Sequence, residues 1–363
     1  MACRGFDGQV VHQDQRIVDL LTNFVCVRLV QANTMDLALF QFDYDLTFAA
    51  FFMNADRTIY GRFGSRSDQK EADRDISIEG FREALDAALE LHKHYPANKA
   101  ALTGKQPKPV KFKTPEEYPS LAGKYKPRLD YEGKVARSCM HCHQVREAER
   151  VFYRADHKPI PDQVLLPYPM PDVVGLSLDA RARARVAKVA SGSAAAKAGF
   201  ATGDEIVTLD GQPIFSIADV QWVLHQASAP ARIPCTVKRG KQTRSLTLEL
   251  PSDWRQANDI SWRATTWDLR RMAAGGLVLK EAPDPKQGVG LRVDYVGQYN
   301  EHAVGKKAGF QKSDVFLSAD GIGSRMTETH FLRYILQNKM PGTKVPISLL
   351  RSDQKLELQL PLQ

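Results

Sequence analysis

Five residues, Cys139-Met140-His141-Cys142-His143, hold the densest reactive chemistry in the chain. Two thiols three positions apart, with a histidine directly after the second, match the spacing of covalent c-type haem attachment. Cys139 and Cys142 would carry thioether bonds to the haem vinyl groups from adjacent turns of one short helix. The imidazole of His143 would then ligate the iron from the proximal side. Zinc is an alternative, although His141 and His143 sit within one turn and zinc sites usually draw ligand pairs from separated segments. A dithiol–disulfide switch or staple is the third chemistry this spacing allows. A six-coordinate iron needs a second axial ligand, for which Met170 in Leu166-Pro-Tyr-Pro-Met-Pro171 leads and His157 is the alternative. Cys26 and Cys235 fall in apolar, strand-like contexts and read as small core residues.

The elements around the motif are those of a multidomain α+β chain. At 363 residues, with 43% apolar and 25% charged content, two to four globular domains are expected. The net charge of +8 is modest for this length. Arg181, Arg183 and Arg185 would share one face if their stretch were a strand. No aromatic-interleaved basic platform accompanies them, so nucleic acid is not an expected partner. No run approaches the ~20 apolar residues of a membrane helix. The start, Met1-Ala-Cys-Arg-Gly-Phe-Asp-Gly8, is not a signal peptide, because a charged region followed by an apolar one is missing.

Val10 to Phe24 has a largely helical apolar face, and Val25-Cys-Val-Arg-Leu-Val30 reads as a strand by its β-branched content. A buried strand over Thr47–Asn54, a turn at Ala55–Arg57 and a partner strand over Thr58–Phe63 form a hairpin. An amphipathic helix over Ser77–His94 follows, with Phe81, Leu85, Ala88 and Leu89 inward. Residues 97–134 interleave lysine and proline and read as an extended linker. Gln144 to Arg154 continues the haem motif as a helix, with Val145, Ala148 and Phe152 along one face.

The C-terminal half holds an internal repeat. Ala198-Gly-Phe200 recurs as Ala308-Gly-Phe310, Gly203-Asp204 as Ser313-Asp314, and Asp210-Gly211 as Asp320-Gly321. Glycine after Ala198 and after Ala308 supplies a left-handed helix cap, and each Asp-Gly a tight turn. A helix (Ile217–Gln226; Glu328–Gln337) and two strands follow in each copy.

Gly133 to Val145 resembles the attachment site of cytochromes c, which often present an axial methionine in a proline-flanked loop such as that of Met170. Residues 1–96 resemble a thioredoxin-like domain, with Phe40-Gln-Phe-Asp-Tyr-Asp-Leu-Thr-Phe48 where that fold places its cis-proline loop; no proline is present there. In that resemblance Cys3 stands where the second cysteine of a CxxC would fall. The opening strands, the attacking cysteine or selenocysteine and an export signal would lie upstream of Met1, so an N-terminally shortened gene product is expected. Ser191 to Gly211 resembles bacterial PDZ domains of the type found in periplasmic proteases, and the resemblance covers roughly 172–251 and, more loosely, 287–361.

PDZ modules, small barrel-like domains with two helices each, bind extended carboxyl-terminal peptides by strand addition. The resemblance implies a carboxylate loop at Val174-Gly175-Leu176-Ser177 in the first copy and at Val289-Gly290-Leu291 in the second. It places the helical wall at Val220 and Leu224, and at Phe331 and Ile335. No Ser/His/Asp protease domain and no GxSxG element accompany them, which disfavours proteolysis. The expected order is a thioredoxin-like part (1–96), a linker (97–134), the CxxCH segment (135–171), PDZ 1 (172–251), a tryptophan-rich bridge (252–286) and PDZ 2 (287–361). Together these resemble a bacterial family of thioredoxin-like/PDZ (seleno)proteins. The implied function is extracytoplasmic, periplasmic redox or electron transfer through one haem c, with the PDZ modules docking a partner polypeptide. A non-enzymatic PDZ scaffold with a zinc or disulfide staple is the alternative.

Overall fold

The structure is a computed structural model that describes residues 8, 10, 14–68, 74–282 and 288–363. From residue 14 onward, the helix expected over Val10–Phe24 is confined to one turn, α1 (Val18–Leu21). Val25–Val30 forms no strand: the segment lies exposed, Cys26 with it, so the core role expected of that cysteine is not realised. β-Branched content favoured pairing, but no neighbouring described strand lies beside this segment.

The hairpin is β1 (Ala50–Met53) with β2 (Ile59–Phe63). Asp56 builds its turn, accepting from the Thr58 N–H and the Asn54 amide at 3.0 Å each. Helix α2 (Ile78–Lys93) is capped by Ser77, whose hydroxyl accepts the Gly80 N–H at 2.9 Å. Phe52, Phe63, Phe81, Leu85 and Ala88 close a core that Phe215, far along the chain, completes. Gly61 is required where it stands, since a Cβ there would lie 1.9 Å from the Phe215 ring.

The lysine–proline stretch is not extended throughout. Lys99–Lys105 winds into a 3-10 helix and Lys105 is wholly buried against Asp219, Nζ to Oδ1 2.8 Å. Beyond it come α3 (Val135–Ser138), α4 (Cys142–Ala155) and α5 (Asp162–Leu165).

The first repeat comprises a 3-10 turn (Pro171–Val174), β3 (Leu176–Leu178), β4 (Val186–Val189), α6 (Ala194–Ala198), β5 (Glu205–Leu209), β6 (Gln212–Pro213), α7 (Ile217–Gln226), β7 (Ala231–Arg239) and β8 (Gln242–Leu250). β3 pairs β4, and a second sheet runs β6-β5-β7-β8, all antiparallel. Arg181–Ala184 is a loop rather than a strand, and Arg183 pairs with Glu90 at 2.7 Å.

The second repeat begins earlier than residue 287. The expected bridge supplies α8 (Thr266–Ala274) and β9 (Leu277–Glu281). Then come β10 (Leu291–Val296), α9 (Val304–Lys307), β11 (Val315–Ala319), α10 (Glu328–Asn338), β12 (Lys344–Arg351) and β13 (Gln354–Pro361). One antiparallel sheet runs β13-β12-β11-β10-β9. Phe316, Phe331, Leu332, Ile335 and Ile347 are fully buried. Burial of each contributes about 1.5–3 kcal/mol before entropy is charged against it.

The chain divides into two compact units. One holds 1–117, 123–142 and 166–258, the other 118–122, 143–165 and 259–363. Among the described residues, no helix is long and apolar enough to cross a membrane.

Candidate functional site

Cys139 and Cys142 do not share a helix. Cys139 caps the end of α3 in an extended conformation (φ −85°, ψ 120°), while Cys142 opens α4. The cause is Asn33. Its amide donates to the Ser138 and Lys126 carbonyls (2.9 and 2.8 Å), and its carbonyl accepts the Met140 N–H at 2.7 Å. The Ala32 N–H adds a bond to the Met140 carbonyl at 2.8 Å, and the Met140 side chain is fully buried. A tertiary bracket thus sets the backbone between the two thiols.

Cys139, Cys142 and His143 are half-buried, His141 is exposed, and both thiols are free. Burial, reinforced by nearby Cys139, pushes the Cys142 thiol up to about 11. It is therefore protonated at neutral pH, the opposite of an activated redox cysteine. Among the described residues, no three His, Cys, Asp or Glu side chains group as a metal site. Met170 precedes the Pro171–Val174 turn, and His157 stands exposed after α4 with φ 52°. Cys3 lies outside the described residues.

In the first repeat, Gly175 closes the 3-10 turn with φ 88° and leads straight into β3. A Cβ on it would lie 2.2 Å from Ser193, so two constraints demand glycine. Ser177 is exposed, whereas Val174, Leu176, Val220 and Leu224 are sealed into the domain core. The side chains expected to form a helical wall thus lie in the core rather than lining an open pocket. β3 has one strand neighbour, β4, and among the described residues nothing else bonds the main chain of Leu176–Leu178.

Helix α7 is held on its other sides by its own unit. Trp222 donates to the Gly104 carbonyl at 2.8 Å and Gln221 to the Tyr168 carbonyl at 2.9 Å. The Tyr168 ring stacks on His225 at 4.0 Å. Arg255 donates to the Leu224, His225 and Ala227 carbonyls at the helix C-terminus.

The second repeat reproduces several turn and ion-pair bonds of the first. Arg239 forks onto Asp204 (2.6 and 2.8 Å) and reaches the Gly199 carbonyl; Arg351 does the same to Asp314 (2.7 Å twice) and Gly309. Ser313 takes the left-handed conformation of Gly203, φ 75° against 88°. Leu176 faces Val189 as Leu277 faces Val296, and the Ala190 N–H bonds the Gly175 carbonyl as Gly297 bonds Gly276.

These equivalences shift the match of the two repeats away from the segment expected at 289–291. Gly275-Gly276-Leu277, with φ 84° at Gly276, is the structural counterpart of Val174-Gly175-Leu176, whereas Leu291 of Val289-Gly290-Leu291 pairs with Glu281 inside the sheet. Gly276-Leu-Val-Leu279 mirrors Gly175-Leu-Ser-Leu178 in the sequence, a signal present but placed in the supposed bridge. Phe331 and Ile335 are buried on α10.

Comparison with known proteins bears on the first repeat. The PDZ domain family model matches residues 171–250, so the chain contains a PDZ domain there. A solved structure, the HtrA3 PDZ domain bound to a phage-derived ligand (FGRWV), aligns over 22% of this chain and 76% of that chain. The identity is 23% and the TM-score 0.17. No curated protein matches the chain.

Proposed function

We propose that the chain is a docking protein whose PDZ domain takes the carboxyl-terminal end of a partner polypeptide as an added strand on β3. The observation that carries this reading is the open main-chain edge of Leu176–Leu178, starting at the left-handed Gly175. Lys188, exposed and directly across from Ser177, would favour an acidic side chain one or three positions before the ligand's end. The experiment is a fluorescence-polarisation screen of carboxyl-terminal peptides. Peptides with a free carboxylate should bind and their amidated forms should not. Binding indifferent to amidation would overturn the reading.

The second repeat is read as a divergent PDZ module, on the strength of the shared Arg–Asp fork. The hairpin and α2 support a thioredoxin-like reading of the N-terminal third, without the strand that reading needs at Val25–Val30.

Covalent haem is the second reading, favoured by two free thiols and an imidazole within five residues. Cys139 and Cys142 would hold the group and His143 the iron, with Met170 or His157 completing the ligation; bound haem would supply one-electron transfer. Asn33 would fix the Cys139 backbone, and burial would keep Cys142 protonated until attachment. This reading implies an extracytoplasmic location. Expression with an export leader in a cytochrome-maturing host should give haem that survives denaturing electrophoresis. Colourless protein with stoichiometric zinc would favour a scaffold with a metal staple.

A further inference from the structure

Helix α10 begins with Glu328, and its carboxylate is turned inward. Glu328 Oε1 accepts the Leu279 N–H at 2.8 Å and Arg270 Nε at 2.9 Å, while Oε2 accepts Arg270 Nη2 at 2.6 Å. Arg270, on α8, also donates to the Ser261 carbonyl at 3.1 Å and lies over the Trp267 ring at 5.5 Å. Both charged side chains are buried.

β9 is the last strand of its sheet, with β10 as its one strand neighbour among the described residues. The Leu279 N–H therefore points off the outer edge, where an added strand would place a carbonyl. Leu279 corresponds to Leu178, whose edge is open. Thr327 caps α10 as Ser216 caps α7, so Glu328 corresponds to Ile217. The carboxylate and its arginine are thus additions to a frame that stands without them in the first repeat.

We propose that the second repeat is a PDZ-like module closed in cis. Glu328, oriented by Arg270, occupies the strand-addition edge of β9 in place of a ligand carbonyl, so only the first repeat receives a carboxyl-terminal peptide. This rests on the strand-addition reading of β3. A buried ion pair replaced by apolar residues of similar size is commonly tolerated, whereas removing one partner strands the other. The double variant Arg270→Met/Glu328→Ile therefore opens the edge and installs the residue type that the first repeat uses.

The test uses the full chain and a photo-crosslinkable peptide pool ending in Val, Leu, Ile or Phe with a free carboxylate. Wild type should crosslink at β3–β4 alone, and the double variant should add crosslinks at 277–281. Wild-type crosslinks at 277–281, or none there in a double variant that melts cooperatively, would overturn the proposal and leave the β3 reading standing. Crosslinks at neither strand would sink the β3 reading, and amide exchange then decides the lock by itself. Leu279 should exchange slowly in wild type and about tenfold faster in the double variant, the loss of one well-formed hydrogen bond. Equal exchange in the two proteins overturns the lock.

Discussion

Ile217 in the first repeat and Glu328 in the second occupy the same place at the start of the same helix, and the neighbouring strand answers to that exchange. Where the helix starts with Ile217, no group among the described residues other than β4 bonds the β3 main chain; where it starts with Glu328, the Leu279 N–H is already taken. The helices differ as well. α7 is buried on every side from Ile217 to Leu224, whereas α10 buries one face and leaves Arg333, Tyr334 and Gln337 partly exposed. One frame thus supports a helix embedded in its unit and a helix that locks its own groove. The frame is set by turn and ion-pair residues, and the function by what stands at the edge.

Four perturbations test that separation. The largest concerns the first repeat alone: Lys105→Met leaves the buried Asp219 carboxylate without its cation, and about 3–5 kcal/mol should be lost. Burial holds the Lys105 ammonium below its ordinary pKa, and the Asp219 carboxylate beside it opposes that shift. Chemical denaturation should show the unit of residues 1–117, 123–142 and 166–258 unfolding first, with the other unit unaffected. Next, Arg239→Ala and Arg351→Ala each orphan a fully buried carboxylate, and both should cost about 3 kcal/mol. Unequal losses in denaturant melts would mean the frames are less alike than their bonds.

The third is a pH effect. Burial alone would raise the Asp204 pKa, but Arg239 and the Ala201 N–H outweigh it and the folded value lies below 3.8. Such a carboxylate stabilises the fold above its unfolded pKa and loses that contribution as pH falls through the folded value. Acid unfolding of wild type should therefore steepen below about pH 4, and Arg239→Ala should flatten that dependence. The smallest is conformational. Ser313→Gly relieves a left-handed backbone and should stabilise by about 0.5–1 kcal/mol, while Gly203→Ser should cost a similar amount, both read as melting shifts.

The repeat was legible because local chemistry dictates it. Glycine after a short helix and Asp-Gly at a turn specify positive φ wherever they occur, and the structure has them at Gly199, Gly309, Gly211 and Gly321. The hairpin and α2 were legible for the same reason, through Asp56 and Ser77. What was hidden depends on distant partners. The thiol pair reads as one helix until Asn33, more than a hundred residues away, fixes the backbone between its halves. Lys105 reads as linker until Asp219 draws it inside. Gly276-Leu277 was visible but lay in a segment whose tryptophans suggested packing, and nothing local announces that Glu328 would turn inward.

The exposed run Val25–Val30 has a consequence outside recognition and redox chemistry. Val25 is 95% and Val27 79% exposed, in a segment without helix or strand. A stretch of bare, extended, apolar backbone is the form in which proteases and unfoldases grip a chain. Limited proteolysis of the native chain is therefore expected to cut first within this ribbon, and anything that covers it should slow that cut.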